Sequence, residues 1–317
     1  MLVVYQLTPC SRSDESRRPM TRSYISRAFR FAPSPNGYLH LGHGFSALLN
    51  HEMALGTGGK LLLRIEDIDL ERCRPEFEQA IYEDLAWLGL KWEQPVRRQS
   101  EHFDAYREAL ASLEKRGLVY PCFCSRADVV TATSERADWP RDPDDSPLYP
   151  STCRHLSRAE RQRRLDAGQP AAWRLDMARA LKELRRPVDW REYGGGSEPR
   201  LVTAQPALWG DTILSRKDVP ASYHIAVVVD DALQGVTDVV RGEDLFMATG
   251  LHRLLQILLD LPTPDYHHHE LLRDAAGRKL SKSLRAKSLR VLRQEGLTPG
   301  QLKAQLGLDK RSFAFVP

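Results

Sequence analysis

The stretch from Arg30 to His43, R-F-A-P-S-P-N-G-Y-L-H-L-G-H, limits what this chain can fold into more than any other part of it. Tyr24, Ile25 and Phe29 to Phe31 have strand character, and Pro33, Ser34, Pro35, Asn36 and Gly37 then stop the strand in a tight loop. From about His43 the apolar residues Phe45, Leu48, Leu49 and Met53 recur at helical spacing. A strand, a loop and a helix N-terminus are therefore expected. Such a terminus offers free N–H groups and the positive end of the helix dipole, which together hold phosphate oxygens. Gly42 lets a nucleotide approach the backbone, and His40 and His43, three residues apart, project toward the same phosphates. Taken alone, H-x-G-H is equally a capped helix carrying two surface histidines.

A second motif lies far along the chain. Lys279-Leu280-Ser281-Lys282-Ser283 follows Gly277 and Arg278 in a basic loop. An ammonium on a flexible stem suits the departure of pyrophosphate, because negative charge grows on the leaving phosphates. The two motifs, in this order and a domain's length apart, resemble the HIGH and KMSKS motifs of class I aminoacyl-tRNA synthetases. Leu280 stands in place of Met, and R-F-A-P-S-P-x-G is the form used by the glutamyl and glutaminyl branch. Asn36 stands where Thr is more usual, a small polar exchange.

Length and composition set outer limits. With 317 residues and 42% hydrophobic side chains, the chain can bury one large core and a smaller unit. No run approaches the roughly 18 apolar residues of a membrane span, and no signal-peptide core is present, so a cytoplasmic protein without a membrane partner is expected. Five unevenly spaced cysteines do not form a disulfide framework. The net charge of +4 permits a nucleic-acid partner without establishing one.

The expected fold class is α/β, a Rossmann-type parallel sheet with an inserted zinc-binding, acceptor-like subdomain and a short C-terminal helical part. Residues 1–22 read as a disordered extension, with Met1 or Met20 as the start, and 23–118 as the first half of the catalytic domain. The insertion and its connecting segment occupy 119–200, the second half 201–261, and the KLSKS loop with terminal helices 262–317. Lys60 to Asp67 reads as a buried strand, which places Glu66 at a strand's carboxyl end, where open α/β sheets bind ligands. Helices are expected around Phe77 to Leu88 and Phe103 to Leu113, and over Leu245 to Leu261. Ala171 to Met177, Tyr223 to Val229 and Val236 to Val240 read as strands, and Glu192 to Pro199 as a loop.

Cys122 and Cys124 could meet Cys153 if the Pro- and Asp-rich segment between them loops back, and three soft ligands favour zinc. Buried thiols on one strand face are the alternative. The resemblance implies Tyr149 as fourth ligand, whereas His155 is the ordinary chemical choice; both stay open. One structural zinc per chain is expected, together with Mg2+ accompanying ATP.

Within the class, the match over roughly residues 25–290 is similar to the glutamyl-Q tRNA(Asp) synthetase family, glutamyl-tRNA synthetase paralogues without an anticodon-binding domain. The resemblance implies activation of L-glutamate by ATP without tRNA, then transfer to the cyclopentenediol of queuosine in the tRNA(Asp) anticodon, by a monomer. It implies a glutamate site of Arg30, Phe31, Ala32, Pro33, Ser34, Glu66, Tyr223 and Arg241, an ATP site of His40, Gly42, His43, Lys279 and Lys282, and catalysis by His40, His43 and Lys282. The chemistry agrees, since two carboxylates and an ammonium call for arginines, a hydroxyl and one acid. Rival readings are a glutamyl-tRNA synthetase charging the 3′ end, a small-molecule ligase of the same superfamily, and a non-catalytic binding descendant.

Overall fold

The computed structural model describes residues 26–194, 196, 198–272 and 287–308. The expected N-terminal extension, Lys279, Lys282 and the rest of the KLSKS motif lie outside these residues.

The first strand, β1 (Ala28–Phe31), is buried along its whole length and runs into the Pro-rich loop. Helix α1 (Leu41–Gly56) starts one residue after His40 and leads to β2 (Lys60–Ile65), which pairs parallel to β1. Pro75 at the first position starts α2 (Pro75–Trp87), which precedes β3 (Glu93–Arg98) and α3 (Phe103–Lys115). A smaller unit follows: β4 (Val119–Cys122), α4 (Arg126–Ser134), α5 (Arg158–Asp166), β5 (Ala172–Leu175) and α6 (Met177–Lys182). The chain then forms β6 (Asp189–Glu192), β7 (Arg200–Thr203), β8 (Ile213–Ser215) and α7 (Tyr223–Leu233). Last come β9 (Asp238–Gly242), α8 (Phe246–Leu258), β10 (Asp265–His269), α9 (Leu289–Gln294) and α10 (Pro299–Gln305).

The main sheet has the order β3-β2-β1-β9-β10-β6-β7 and is parallel except for β7, which runs antiparallel to β6. Its strand order turns at β1 and β9, so a crevice opens beyond the carboxyl ends of these two neighbours. A second, antiparallel sheet has the order β4-β5-β8. The chain therefore passes between the two sheets more than once. Strand β6, within 119–200, pairs with the main sheet, β7 starts at the end of that span and continues the same sheet, and β8, within 201–261, pairs with the small one.

Tyr223 to Val229 is corrected from strand to helix. Helix α7 packs against α3 and α8, and Ile225, Ala226, Val227, Val228 and Val229 are all buried. A helix enclosed on every side shows no polar face, so its sequence matches a buried strand, and burial outweighs the modest β preference of valine. Asp230 and Asp231 continue the helix and are themselves buried. Asp265-Tyr266-His267-His268-His269 carried no strand expectation, yet β10 is an interior strand between β9 and β6. It buries polar side chains because acids receive them: Asp238 bonds His267 at 2.9 Å and Glu192 bonds His268 at 2.6 Å.

Candidate active site

The Pro-rich loop is anchored at two points. Glu66 donates its N–H to the Pro33 carbonyl at 3.0 Å, and Arg74 donates to that of Pro35, also at 3.0 Å. Beyond the loop, His40 is the N-cap of α1. Its Nδ1 accepts from the Gly42 N–H at 3.1 Å, while Nδ1 of His43 accepts from the His40 N–H at 3.2 Å. The two histidines thus form a reciprocal capping box, with ring centroids 3.8 Å apart. Since both Nδ1 atoms accept, the neutral rings carry their protons on Nε2, as the donors a phosphate oxygen requires. A Cβ on Gly42 would sit 3.0 Å from the His40 ring, so a side chain there would press on the cap.

At the end of β1, Arg30 is 5% exposed and its Nε donates to Asp231 at 3.2 Å. Arg64 of β2 is fully buried and bridges Asp231 at 2.7 Å and Glu66 at 3.1 Å. Burial raises the Glu66 carboxyl, while the charges of Arg64 and Arg30 oppose it. Asp231 is held below its ordinary value despite burial, because Arg30 and Arg64 both face it. Asp230, next in the chain, accepts from Arg97 at 2.7 Å, Gln99 at 2.8 Å and Tyr106 at 2.8 Å, which ties α7 to β3 and α3. Arg64, Asp230 and Asp231 formed no part of the sequence-based site. A charged residue inside the apolar run K-L-L-L-R-I, and two acids after V-V-V, were the signals available.

At the end of β9, Arg241 is likewise 5% exposed and its Nη1 lies 3.5 Å from the Tyr223 hydroxyl. One cavity of about 640 Å³ joins these groups. Its lining takes Arg30, Phe31, Ala32, Pro33, Ser34 and Glu66 from the first half of the sheet. It takes Tyr223 and Arg241 from the second half, and His40, Gly42 and His43 from the start of α1. Every sequence-predicted residue of the glutamate and ATP sites lines this cavity, apart from Lys279 and Lys282 outside the described residues.

The same architecture is found in known proteins. Residues 28–308 match the family described as tRNA synthetases class I (E and Q), catalytic domain. The chain belongs to this family. It is 46% identical to the glutamyl-Q tRNA(Asp) synthetase of Rhodobacter capsulatus, over 88% of this chain and 99% of that relative. It is 39% identical to the glutamyl-Q tRNA(Asp) synthetase of Nocardia farcinica, covering 90% of this chain and 87% of the relative. A glutamate tRNA ligase from Elizabethkingia meningosepticum, solved in complex with its amino acid, superposes with a TM-score of 0.68 at 29% identity. That alignment covers 81% of this chain and 52% of the solved one, so the chain spans about half the length of that structure.

In this class I synthetase the cysteines come together as expected. The Sγ atoms of Cys122, Cys124 and Cys153 lie within 4.8 Å of one another. A tetrahedral zinc with Zn–S of about 2.3 Å separates its sulfurs by about 3.8 Å, so the cluster needs little adjustment. The Tyr149 hydroxyl lies 3.4 Å from Cys124 Sγ and accepts from the Cys153 N–H at 2.9 Å. His155 is exposed and is not among the grouped ligands. Hydrogen bonding from Cys122 leads the effects that lower the Cys153 thiol to about 4, whereas Cys122 and Tyr149 are pushed up. Cys122, Cys124, Cys153 and Tyr149 thus form a close nest of soft and phenolic donors whose chemistry fits a divalent cation.

Arg163 and Arg164 bond Glu160, Arg161 lies over the Tyr120 ring, and Arg154 bonds Asp211. Among the described residues, no helix is long and apolar enough to cross a membrane.

Proposed function

We propose that this chain activates L-glutamate with ATP in the absence of tRNA and then glutamylates queuosine in the anticodon of tRNA(Asp). The observation that carries the reading is the single cavity at the turn of the strand order, in which Arg30, Arg241, Tyr223 and Glu66 share one space with the His40–His43 cap. Arg30 and Arg241 match carboxylates, Glu66 matches the ammonium, and the Nε2 donors of His40 and His43 match phosphate. The α-carboxylate of glutamate attacks the α-phosphorus of ATP, and pyrophosphate leaves. A hydroxyl of the cyclopentenediol then attacks the acyl carbon, forming an ester and releasing AMP. No covalent enzyme intermediate is needed; the protein supplies positioning and charge. Mg2+ enters with ATP, and Lys279 and Lys282 act on the departing phosphates. The enzyme works as a cytoplasmic monomer.

Cys122, Cys124, Cys153 and Tyr149 would hold one structural zinc, which fastens the turn after β4 to the segment before α5. The domain reading follows: a Rossmann-type catalytic unit with a zinc-bearing insertion and terminal helices. The near-complete coverage of the Rhodobacter capsulatus relative supports transfer to queuosine over charging of the tRNA 3′ end. Glutamate-dependent ATP–pyrophosphate exchange, run with and without tRNA, tests the first half. Exchange that strictly requires tRNA would remove the tRNA-independent step. Labelled glutamate should enter tRNA(Asp) only when queuosine is present. Equal labelling of queuosine-free tRNA, or label on the terminal adenosine, would favour the glutamyl-tRNA synthetase reading.

A further inference from the structure

The two arginines of the site are held in opposite ways. Arg30 touches the carboxylate of Asp231. Around Arg241, among the described residues, every hydrogen-bond acceptor is uncharged. Its Nε donates to His268 Nε2 at 3.1 Å, and its Nη1 to His252 Nδ1 at 3.3 Å and to Tyr223 at 3.5 Å. Its Nη2 donates to Thr249 Oγ1 at 2.7 Å and to the Leu245 carbonyl at 3.2 Å, and the Tyr266 ring centroid lies 5.6 Å from Cζ. A buried cation without a contacting counter-ion is costly unless a ligand supplies one.

The proton positions follow from the guanidinium, which only donates. Nε2 of His268 and Nδ1 of His252 must therefore be unprotonated. His268 turns its Nδ1–H to Glu192 at 2.6 Å, and His252 its Nε2–H to His224 Nδ1 at 3.2 Å. Glu192 is fixed in turn by the Trp190 indole at 3.1 Å and the N–H groups of His268 and Gly194, each at 2.9 Å. Its charge thus selects the His268 tautomer from one ring away, without touching Arg241. The contact to Tyr223 is the longest of the five and belongs to a residue that lines the cavity, so it is the one a carboxylate can replace.

We propose that His252 and His268 are positioning residues that hold Arg241 through uncharged acceptors, leaving its charge for the side-chain carboxylate of the substrate, so that this cage sets the preference for glutamate over glutamine. The inference rests on the proposed activation of glutamate. Two nearly isosteric substitutions separate charge from shape. His252→Gln keeps a neutral acceptor beside Nη1, whereas His252→Glu places a carboxylate there. In pyrophosphate exchange, His252→Glu should raise KM for glutamate by about tenfold or more and lower the glutamate-to-glutamine ratio of kcat/KM by a similar factor. KM for ATP should stay the same, and His252→Gln should raise KM for glutamate only a few-fold. His268→Leu should also raise KM for glutamate, with partial recovery in His268→Gln. An unchanged ATP KM in each variant shows that the fold is retained. Equal glutamate KM and equal discrimination in His252→Gln and His252→Glu would overturn the cage. Wild-type protein that performs no glutamate-dependent exchange would remove the activation reading itself, and the inference with it.

Discussion

Asp231 shows how one side chain serves several at residue scale. Its carboxylate meets both Arg30 and Arg64, and Arg64 passes the constraint on to Glu66. The cavity therefore receives two groups of opposite charge whose positions depend on a residue outside its lining. His40 and His43 are fixed differently, by backbone N–H groups of the helix start itself. The role proposed for Lys282 belongs to the same scale and rests on its charge. Lys282→Ala should raise the activation barrier by about 2.7–4 kcal/mol, the scale for removing one preorganised charge stabiliser. Single-turnover formation of the adenylate measures this, and unchanged rates would take Lys282 out of the mechanism.

At the scale of elements, α2 faces α9 through an acid in an unfavourable place. Asp84 is 0% exposed, both its carboxylate oxygens lack hydrogen-bond partners, and the nearest cation, Arg293, is 4.0 Å away. Burial pushes its carboxyl up from 3.8 to about 6. A folded-state value above the unfolded one means that Asp84 favours folding when protonated and opposes it as pH rises through about 6. Asp84→Asn should therefore stabilise the protein above that pH by on the order of 1–3 kcal/mol. The gain should fade toward pH 3.8, as urea unfolding at several pH values can check. The cysteine nest proposed to hold zinc joins other elements, β4 and the turn before α5. Cys122→Ser or Cys153→Ser should release about one metal per chain and unfold the segment around them, because structural zinc binding is coupled to local folding. Elemental analysis with hydrogen exchange follows both effects. Tyr149→Phe should weaken zinc retention and His155→Ala should not, since only Tyr149 lies in the nest.

Across the whole molecule, the cavity depends on histidines buried in neutral form. Burial, then the charge of Arg241, lowers His224 from 6.5 to about 4. Burial lowers His268 to about 4 as well, against the pull of Glu192. Between about 4 and 6.5 the unfolded chain binds protons that the folded chain refuses, so stability falls as pH drops through this window and is level above it with respect to these groups. Glu192, held down to about 2 by His268 against the effect of burial, extends the loss below 4.5. Thermal unfolding should show a midpoint that declines from pH 6.5 to pH 4, with a shallower decline in His224→Gln. An identical slope in the variant would exclude His224 as a source.

The sequence by itself determined the parts whose chemistry is local. Proline and glycine fix the loop after Phe31 whatever surrounds it, and the spacing from His40 to Met53 fixes the helix that follows, so the strand, loop and helix start were legible. The position of Glu66 just beyond an apolar strand was legible for the same reason, as was the grouping of three thiols. Only the tertiary structure decided that Tyr223 to Leu233 is a helix, because enclosure by α3 and α8 removes the polar face that would reveal its period. It also decided that three successive histidines lie in an interior strand, since Asp238 and Glu192 arrive from distant segments to accept hydrogen bonds from His267 and His268. The partners of Arg30 and Arg241 come from elements far apart in the chain, and no local pattern distinguishes a carboxylate partner from an uncharged ring. Which arginine meets a buried charge and which does not is settled by packing.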